Sequence, residues 1–139
     1  MNTRITWKDG MAFEAQLDGF RIAMDAAESV GGRGLGPKPK GLTLVSLGGC
    51  TGMDVIAILR KMKQDVTGLE IEVDSVLASE HPKKFDSITI RYHFTGNDLD
   101  VGRLQRAVQL SETRYCGVNA SLAPGVAIGT EITTNGEAV

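Results

Sequence analysis

The chain has 139 residues, enough for one domain and too few for a catalytic domain plus a separate regulatory one. Apolar residues make up 42% and charged residues 23%, as in globular proteins, which excludes a disordered chain. The formal net charge of −2 lacks the basic excess of a nucleic-acid-binding protein, so we expect no nucleic-acid partner. No apolar run approaches the roughly 18 residues of a membrane span, and the N-terminus lacks the apolar core of a signal peptide. We therefore expect a single domain over residues 1–139 that is cytoplasmic and binds no membrane.

The N-terminal residues predict a three-stranded meander. Apolar and polar residues alternate in three short runs, which Asp9-Gly10 and Asp18-Gly19 separate. Asp-Gly between alternating runs favours a two-residue hairpin, because this turn needs positive φ angles. Residues 25–38 are rich in glycine and predict a flexible loop. Their glycine spacing, with no Gly-Lys-Ser/Thr after it, is not that of a phosphate-binding loop.

The segment from Lys40 to Asp65 predicts a long helix with apolar residues on all sides of its axis. A helix that is apolar all round is buried. About 25 residues at ~1.5 Å each would span roughly 37 Å, which is longer than a domain of this size is wide. We therefore expect sheets to enclose this helix, with a second subunit completing the cover.

The C-terminal half predicts a long hairpin, an amphipathic helix and a last strand. Residues 69–77 and 87–94 alternate between apolar and polar side chains, as in two antiparallel strands with one wet face. Residues 98–115 place apolar side chains at helical spacing. A short helical stretch and a strand from Val126 follow. The order βββ-α-ββ-α-(α)-β indicates an α+β protein with antiparallel sheets.

The sequence contains two cysteines, Cys50 and Cys116, too few for a disulfide scaffold or a zinc site of four thiolates. Cys50 lies in Gly48-Gly49-Cys50-Thr51-Gly52, where each glycine costs a helix about 1 kcal/mol relative to alanine. This cost indicates that another group approaches the backbone, either a second helix or a molecule that reaches the sulfur. From the residues alone, Cys50 could equally be an inert buried hydrophobe. Cys116 falls at a helix junction, where backbone N–H groups could lower a thiol pKa.

The remaining polar residues give weaker signals. His81 and His93 have no acidic or thiol partner at metal-ligand spacing, so we expect no metal site and no cofactor. Asp54 lies one helical turn after Cys50, on the same face. A buried aspartate is costly unless it is paired. We expect Asp54 to form a salt bridge at a dimer interface rather than to assist the chemistry of an active site.

Two segments resemble the cysteine motifs of the OsmC/Ohr superfamily, which contains osmotically inducible protein C and the organic hydroperoxide resistance proteins. The first runs from Pro39 to Val55 and the second from Ala107 to Val118. The strand order and the hairpin at Glu80-His81-Pro82 fit as well, so the resemblance covers essentially the whole chain. It is stronger to the plain OsmC-like branch than to the peroxidase branches. It implies an OsmC-like fold in an intertwined homodimer, with sheets of both subunits around long central helices and active sites shared between them.

The resemblance also implies a chemistry, the thiol-dependent reduction of small organic hydroperoxides in oxidative stress defence. Cys50 would be the peroxidatic thiolate, which attacks the O–O bond and becomes a sulfenic acid. Cys116 would be the resolving thiol, which condenses with the sulfenic acid to a disulfide. A dithiol reductant would restore both thiols, and no cofactor would be needed.

One position departs from the peroxidases of that family. They carry a Glu just after the motif proline, paired with an Arg from the N-terminal region, whereas Lys40 follows Pro39 here. Lys8, Arg33 and Lys40 are our candidates for binding substrate or tuning the thiolate, and we assign Arg21 to the surface. The loop of residues 31–39 is a candidate lid over the site.

The missing Glu leaves other functions open. An OsmC-fold stress-associated binding protein with weak or no peroxidase activity is the main alternative. A weaker third candidate is an acyl-thioester hydrolase, because a long helix wrapped by an antiparallel sheet also describes the hotdog fold. That reaction needs an acid or base near the helix N-terminus, where Lys40 and Gly41 fit badly.

Overall fold

A computed structural model describes all residues from 1 to 139, which group into two compact units, Met1–Thr43 and Leu44–Val139. The fold is α+β, as predicted. Whether the chain is a single domain remains a prediction. The strands are β1 (Arg4–Asp9), β2 (Ala12–Leu17), β3 (Phe20–Met24), β4 (Asp65–Leu77), β5 (Phe85–Asn97), β6 (Ala127–Thr134) and β7 (Glu137–Ala138), and the helices are α1 (Pro39–Lys61), α2 (Val101–Leu110) and α3 (Gly117–Leu122).

The first unit contains the predicted meander, in which β1 pairs with β2 and β2 with β3, both antiparallel. Asp18 and Gly19 form the second hairpin with φ angles of 52° and 82°, as the Asp-Gly signal predicts. The first hairpin differs, because β1 continues through Asp9 and the turn falls on Gly10 and Met11. A β-bulge between Trp7 and Asp9 accommodates this shift in register.

The glycine-rich loop after β3 is organised by Asp25, in contrast to the flexible loop that its composition predicts. The buried carboxylate of Asp25 accepts hydrogen bonds from the backbone N–H groups of Ala26 (2.8 Å), Arg33 (2.9 Å) and Leu35 (3.3 Å). The bond from Arg33 is the main cause that lowers the pKa of Asp25. A Cβ atom on Gly32 would lie 1.8 Å from the carbonyl oxygen of Ala26, so only glycine fits there. The loop therefore has a defined internal structure.

The second unit contains a four-stranded sheet in the order β4-β5-β6-β7. The long hairpin of β4 and β5 is antiparallel, as predicted. The expectation of purely antiparallel sheets is wrong, because β5 and β6 are parallel. The segment containing α2 and α3 joins these two strands, and a crossover of this length returns the chain to the end where β5 began. The sheet is therefore mixed.

The core of the second unit lies between the sheet and the helices. The inward face of β5 is buried, as its alternation predicts. It packs against α1 and α2 in one cluster, whose buried members are Leu47, Val55, Leu59, Ile88, Ile90, Tyr92, Phe94, Leu104, Ala107, Val108 and Cys116.

Helix α1 ends at Lys61 rather than Asp65, because the chain reverses at Lys63, where φ is 55°. Its burial in the single chain is one-sided, and the expected second subunit that completes the cover stays a prediction. Val45 and Met53 are 68% and 77% exposed. They line a groove of about 960 Å³ between α1 and β4.

Helix α1 is also long and apolar enough to cross a membrane, by length and composition alone, contrary to the expectation from the sequence. Its most apolar 18-residue window has a mean hydropathy of 1.8, and 22% of that window is buried. This is weak evidence, since core helices of soluble proteins meet the same criterion.

Candidate functional site

The second unit brings its two thiols together. Cys50 lies on α1, Cys116 lies just before α3, and their sulfur atoms are within 4.8 Å of each other. Both are free cysteines. Cys50 is half-buried, whereas Cys116 is only 2% exposed. Sequence separation neither demanded nor excluded this approach, and the fold achieves it.

The position of Cys116 depends on a π-helical turn between α2 and α3. Helix α2 ends in a π-helical turn over Ser111–Tyr115, a rare element that is frequent at functional sites. The backbone N–H of Cys116 donates to the carbonyl of Ser111 (2.8 Å), and the chain then leaves the helical conformation. The Cys116 sulfur caps α3 by accepting a hydrogen bond from the backbone N–H of Asn119 (3.3 Å).

The two thiols differ in environment. Burial raises the pKa of Cys116, and the proximity of Cys50 raises it further, while the N–H of Asn119 opposes the shift. Cys116 is therefore a protonated thiol near neutral pH. Cys50 is the more accessible sulfur, so a reactant from solvent reaches it first.

Asp54 completes the cluster. A carboxylate oxygen of Asp54 lies within 4.8 Å of both sulfur atoms. The hydroxyl of Ser111 donates to Asp54 Oδ2 at 3.2 Å. This position beside the thiols agrees with a helping role for Asp54, and the salt bridge at a dimer interface that we preferred from the sequence stays a prediction.

A buried hydroxyl network lies beneath Asp54. Thr51 Oγ1 is hydrogen-bonded to Ser111 Oγ at 2.8 Å and to the hydroxyl of Tyr92 at 2.7 Å. Burial raises the pKa of Tyr92 to about 12, so this hydroxyl stays protonated. Sequence reasoning placed Ser111 on the apolar face of its helix and Tyr92 on the inward face of β5, and assigned neither a role. A hydroxyl on an otherwise apolar helix face was the only signal that could have revealed this network.

A cavity of about 460 Å³ adjoins the cluster on the side of Asp54. Most of its walls are apolar, and Lys61 adds a cation. It is lined by Asp54, Ala57, Ile58, Lys61, Met62, Leu110 and Tyr115.

The glycines around Cys50 have a structural explanation in strand β4. A Cβ on Gly52 would lie 2.8 Å from Ile71 Cδ1, and a Cβ on Gly48 would lie 3.0 Å from Val73 Cγ2. The group that approaches the helix backbone at these two positions is therefore β4, which is neither of the alternatives weighed from the sequence. Gly49 has open space where its Cβ would be.

The candidate cations belong to the first unit. Lys8 pairs with Glu14 at 3.8 Å, and Arg33 pairs with Asp9 at 3.2 Å. Lys40 is the second residue of α1. Their role in tuning the thiolate stays a prediction. The surface assignment of Arg21 agrees with its position, since its side chain is exposed and lies 4.0 Å from Glu14.

Known proteins of similar sequence and structure share the architecture described above. The chain matches the family model for OsmC-like proteins over residues 31–131. Protein YhfA of Escherichia coli (strain K12) is 35% identical over 129 residues, which cover 92% of this chain and 93% of YhfA. The crystal structure of a hypothetical protein from Aquifex aeolicus has a TM-score of 0.82 and 27% identity over 96% of each chain. An organic hydroperoxide resistance protein from Legionella pneumophila shares the fold, with a TM-score of 0.68 and 14% identity over 95% of each chain.

Proposed function

Because this chain belongs to the OsmC-like protein family, we propose that it is a thiol-dependent peroxidase that reduces small organic hydroperoxides in oxidative stress defence. Family membership supports the coarser statement of a stress- or hydroperoxide-related function. The more specific proposal of a thiol-dependent peroxidase rests on one observation. The sulfur atoms of Cys50 and Cys116 lie within 4.8 Å of each other. For a disulfide, the two sulfur atoms would have to approach to about 2.05 Å.

The different environments of the two thiols support different roles for them in this reaction. Accessible Cys50, as the thiolate, attacks the distal peroxide oxygen; the O–O bond breaks, and the leaving alkoxide takes a proton to become an alcohol. Buried Cys116 then attacks the sulfur of the Cys50 sulfenic acid. The S–S bond forms as the S–O bond breaks, and the hydroxyl leaves as water with the proton of Cys116. An external dithiol reduces the disulfide and becomes a disulfide itself.

The cavity beside Asp54 fits the organic part of the substrate. Its volume of about 460 Å³ and mostly apolar walls suit a small alkyl or aryl group. The cavity meets the thiol cluster at Asp54, so a hydroperoxide whose tail lies there would be near the two thiols. The reductant must regenerate the thiols, which suits the cytoplasm, where thiols are kept reduced.

We also propose that the protein acts as a homodimer with shared active sites. The exposed apolar face of α1 and its groove of about 960 Å³ need a cover that the single chain does not supply. The first unit separately exposes Trp7 and Phe20. A second copy of the chain would offer the same apolar surfaces to cover the exposed face of α1 and the exposed side chains of the first unit. Lys8, Arg33 and Lys40 remain the candidates for substrate binding or thiolate tuning.

Peroxide consumption in the presence of a dithiol tests the catalytic assignment. With cumene hydroperoxide and dithiothreitol, the reduced protein should be oxidised much faster than free cysteine. Cys50→Ser should abolish turnover. Cys116→Ser should keep the first oxidation and accumulate a sulfenic acid that dimedone traps. Ser121→Ala removes an exposed hydroxyl that donates only to the carbonyl of Gly117, so this control should behave as the wild type.

Oxidation at the rate of free cysteine would contradict the peroxidase. It would favour the second candidate, a stress-associated binding protein of the same fold, for which Lys40 in place of the peroxidase Glu is the supporting observation. In that case Cys50→Ser should leave thermal stability and ligand binding largely unchanged.

A further inference from the structure

We infer that the reduced protein binds one borderline-soft divalent cation, such as Zn²⁺, through Cys50, Cys116 and Asp54. The three donor atoms lie within 4.8 Å of one another. A tetrahedral zinc site, with Zn–S near 2.3 Å and Zn–O near 2.0–2.2 Å, holds its donors ~3.3–3.8 Å apart. Small rotations about side-chain bonds therefore suffice to bring the three atoms onto one ion. The sequence did not predict a metal site, because the third ligand comes from a distant segment.

The ligands have the layout of a built site. Cys50 and Asp54 are four residues apart on one face of α1, a rigid element that fixes their separation. Cys116 enters from the junction before α3. Two thiolates select zinc-like cations over Mg²⁺ and Ca²⁺, which prefer sets of oxygen ligands.

Groups outside the ligand set orient two of the donors. Ser111 Oγ donates to Asp54 Oδ2, which leaves the other carboxylate oxygen for the ion, and Thr51 in turn holds Ser111. The backbone N–H of Asn119 donates to the Cys116 sulfur. Metal sites characteristically have such outer hydrogen bonds to their ligands.

Three protein ligands leave the fourth position to water or to a small ligand, as in catalytic zinc sites. The cavity of about 460 Å³ next to Asp54 provides the room, and Lys61 is one of the residues that line it.

Metal binding and the peroxidase reaction exclude each other. Oxidation of the bound pair converts two thiolates, one hydroperoxide and two protons into a disulfide, an alcohol and water, and releases the cation. This release rests on the proposed function, whereas binding by the reduced thiols does not. Formation of the disulfide would therefore end metal binding.

Cobalt titration of the full-length, reduced, chelator-treated protein under anaerobic conditions tests the site. Co²⁺ should bind one per chain with a thiolate-to-cobalt charge-transfer band, and Zn²⁺ should displace it. Asp54→Asn should keep that band but bind at least about tenfold more weakly. Asp86→Asn, which alters an exposed carboxylate on β5, is the matched control and should bind as the wild type. Cys116→Ser should lose most of the band.

Three results would overturn the inference. These are the absence of a charge-transfer band, undiminished binding after diamide has oxidised the wild type, or equal affinity of Asp54→Asn and Asp86→Asn. The diamide experiment needs no substitution, so it tests the site even where a variant fails to fold. Peroxidase assays run with excess chelator are independent of this titration, so failure of one proposal is distinguishable from failure of the other.

Discussion

Two faces of helix α1 have similar composition and different surroundings. Leu47, Val55 and Leu59 lie in the core of the second unit, with Thr51 among them. Val45 and Met53 lie on the other side and are exposed. The hydrophobic pattern of the sequence predicted that both faces are buried. It did not indicate which face is buried by residues of the same chain.

The difference between the faces bears on the chemistry. On the buried face, Thr51 anchors the hydroxyl network that reaches Asp54 through Ser111. Cys50 is half-buried, packs against the core and lies next to Thr51 in the sequence. The buried face positions the site, and the exposed face is the surface on which we propose that a second copy packs.

Truncating the buried face should produce the largest effect on stability. Leu59→Ala removes a fully buried side chain and should lower the free energy of unfolding by about 2–5 kcal/mol, because it leaves a cavity as well as lost apolar contact. Urea denaturation at low protein concentration measures this.

Met53→Ala is the matched control on the exposed face. At dilutions where the chain is single, it should change the free energy of unfolding by less than about 0.5 kcal/mol. If a second copy covers Met53, its cost should grow with protein concentration, and sedimentation should show weaker dimers. Equal costs for Leu59→Ala and Met53→Ala at all dilutions would remove the distinction between the faces.

Much of the fold was predictable because its signals are local. The alternation in β5 and the Asp18-Gly19 hairpin depend on neighbouring residues, and both are confirmed. The parallel pairing of β5 with β6 was not predicted, since it depends on where a long crossover returns the chain. The hydrogen bonds of Asp25 across its loop also join residues that no periodicity relates.

In the candidate site, too, local features were predictable from the sequence and contacts between distant segments were not. Resemblance to two cysteine motifs indicated Cys50 and Cys116, and helical spacing placed Asp54 near Cys50. The convergence of all three atoms depends on how α1 packs against the turn before α3, which sequence spacing does not encode. The contacts of Thr51 with Tyr92 and Ser111 join three separate elements and have no sequence signature.

Removing the buried hydroxyl should have the next largest effect. Thr51→Val keeps the shape of the side chain but leaves the hydroxyls of Tyr92 and Ser111 without this partner. We expect a loss of about 1–3 kcal/mol in the free energy of unfolding, because buried polar groups are left unsatisfied. Thr113→Val makes the same change at an exposed site, where the hydroxyl donates to the carbonyl of Gln109, and should cost much less. Equal losses in thermal or urea unfolding would show that the network contributes nothing specific.

A smaller effect than that of Thr51→Val is expected from two adjacent glycines on the two faces. Gly49→Ala adds a methyl group in open space and replaces a poor helix former, so it should stabilise the dilute protein by about 0.5–1 kcal/mol. Gly48→Ala gains the same helix propensity but places its Cβ 3.0 Å from Val73 Cγ2, and the β-branched valine has little freedom to move away. Its net change should therefore be zero or a loss. Urea unfolding of both variants at low concentration measures the difference. Equal stabilisation by both would mean that β4 yields easily at Gly48, so that its close approach does not explain the glycine there.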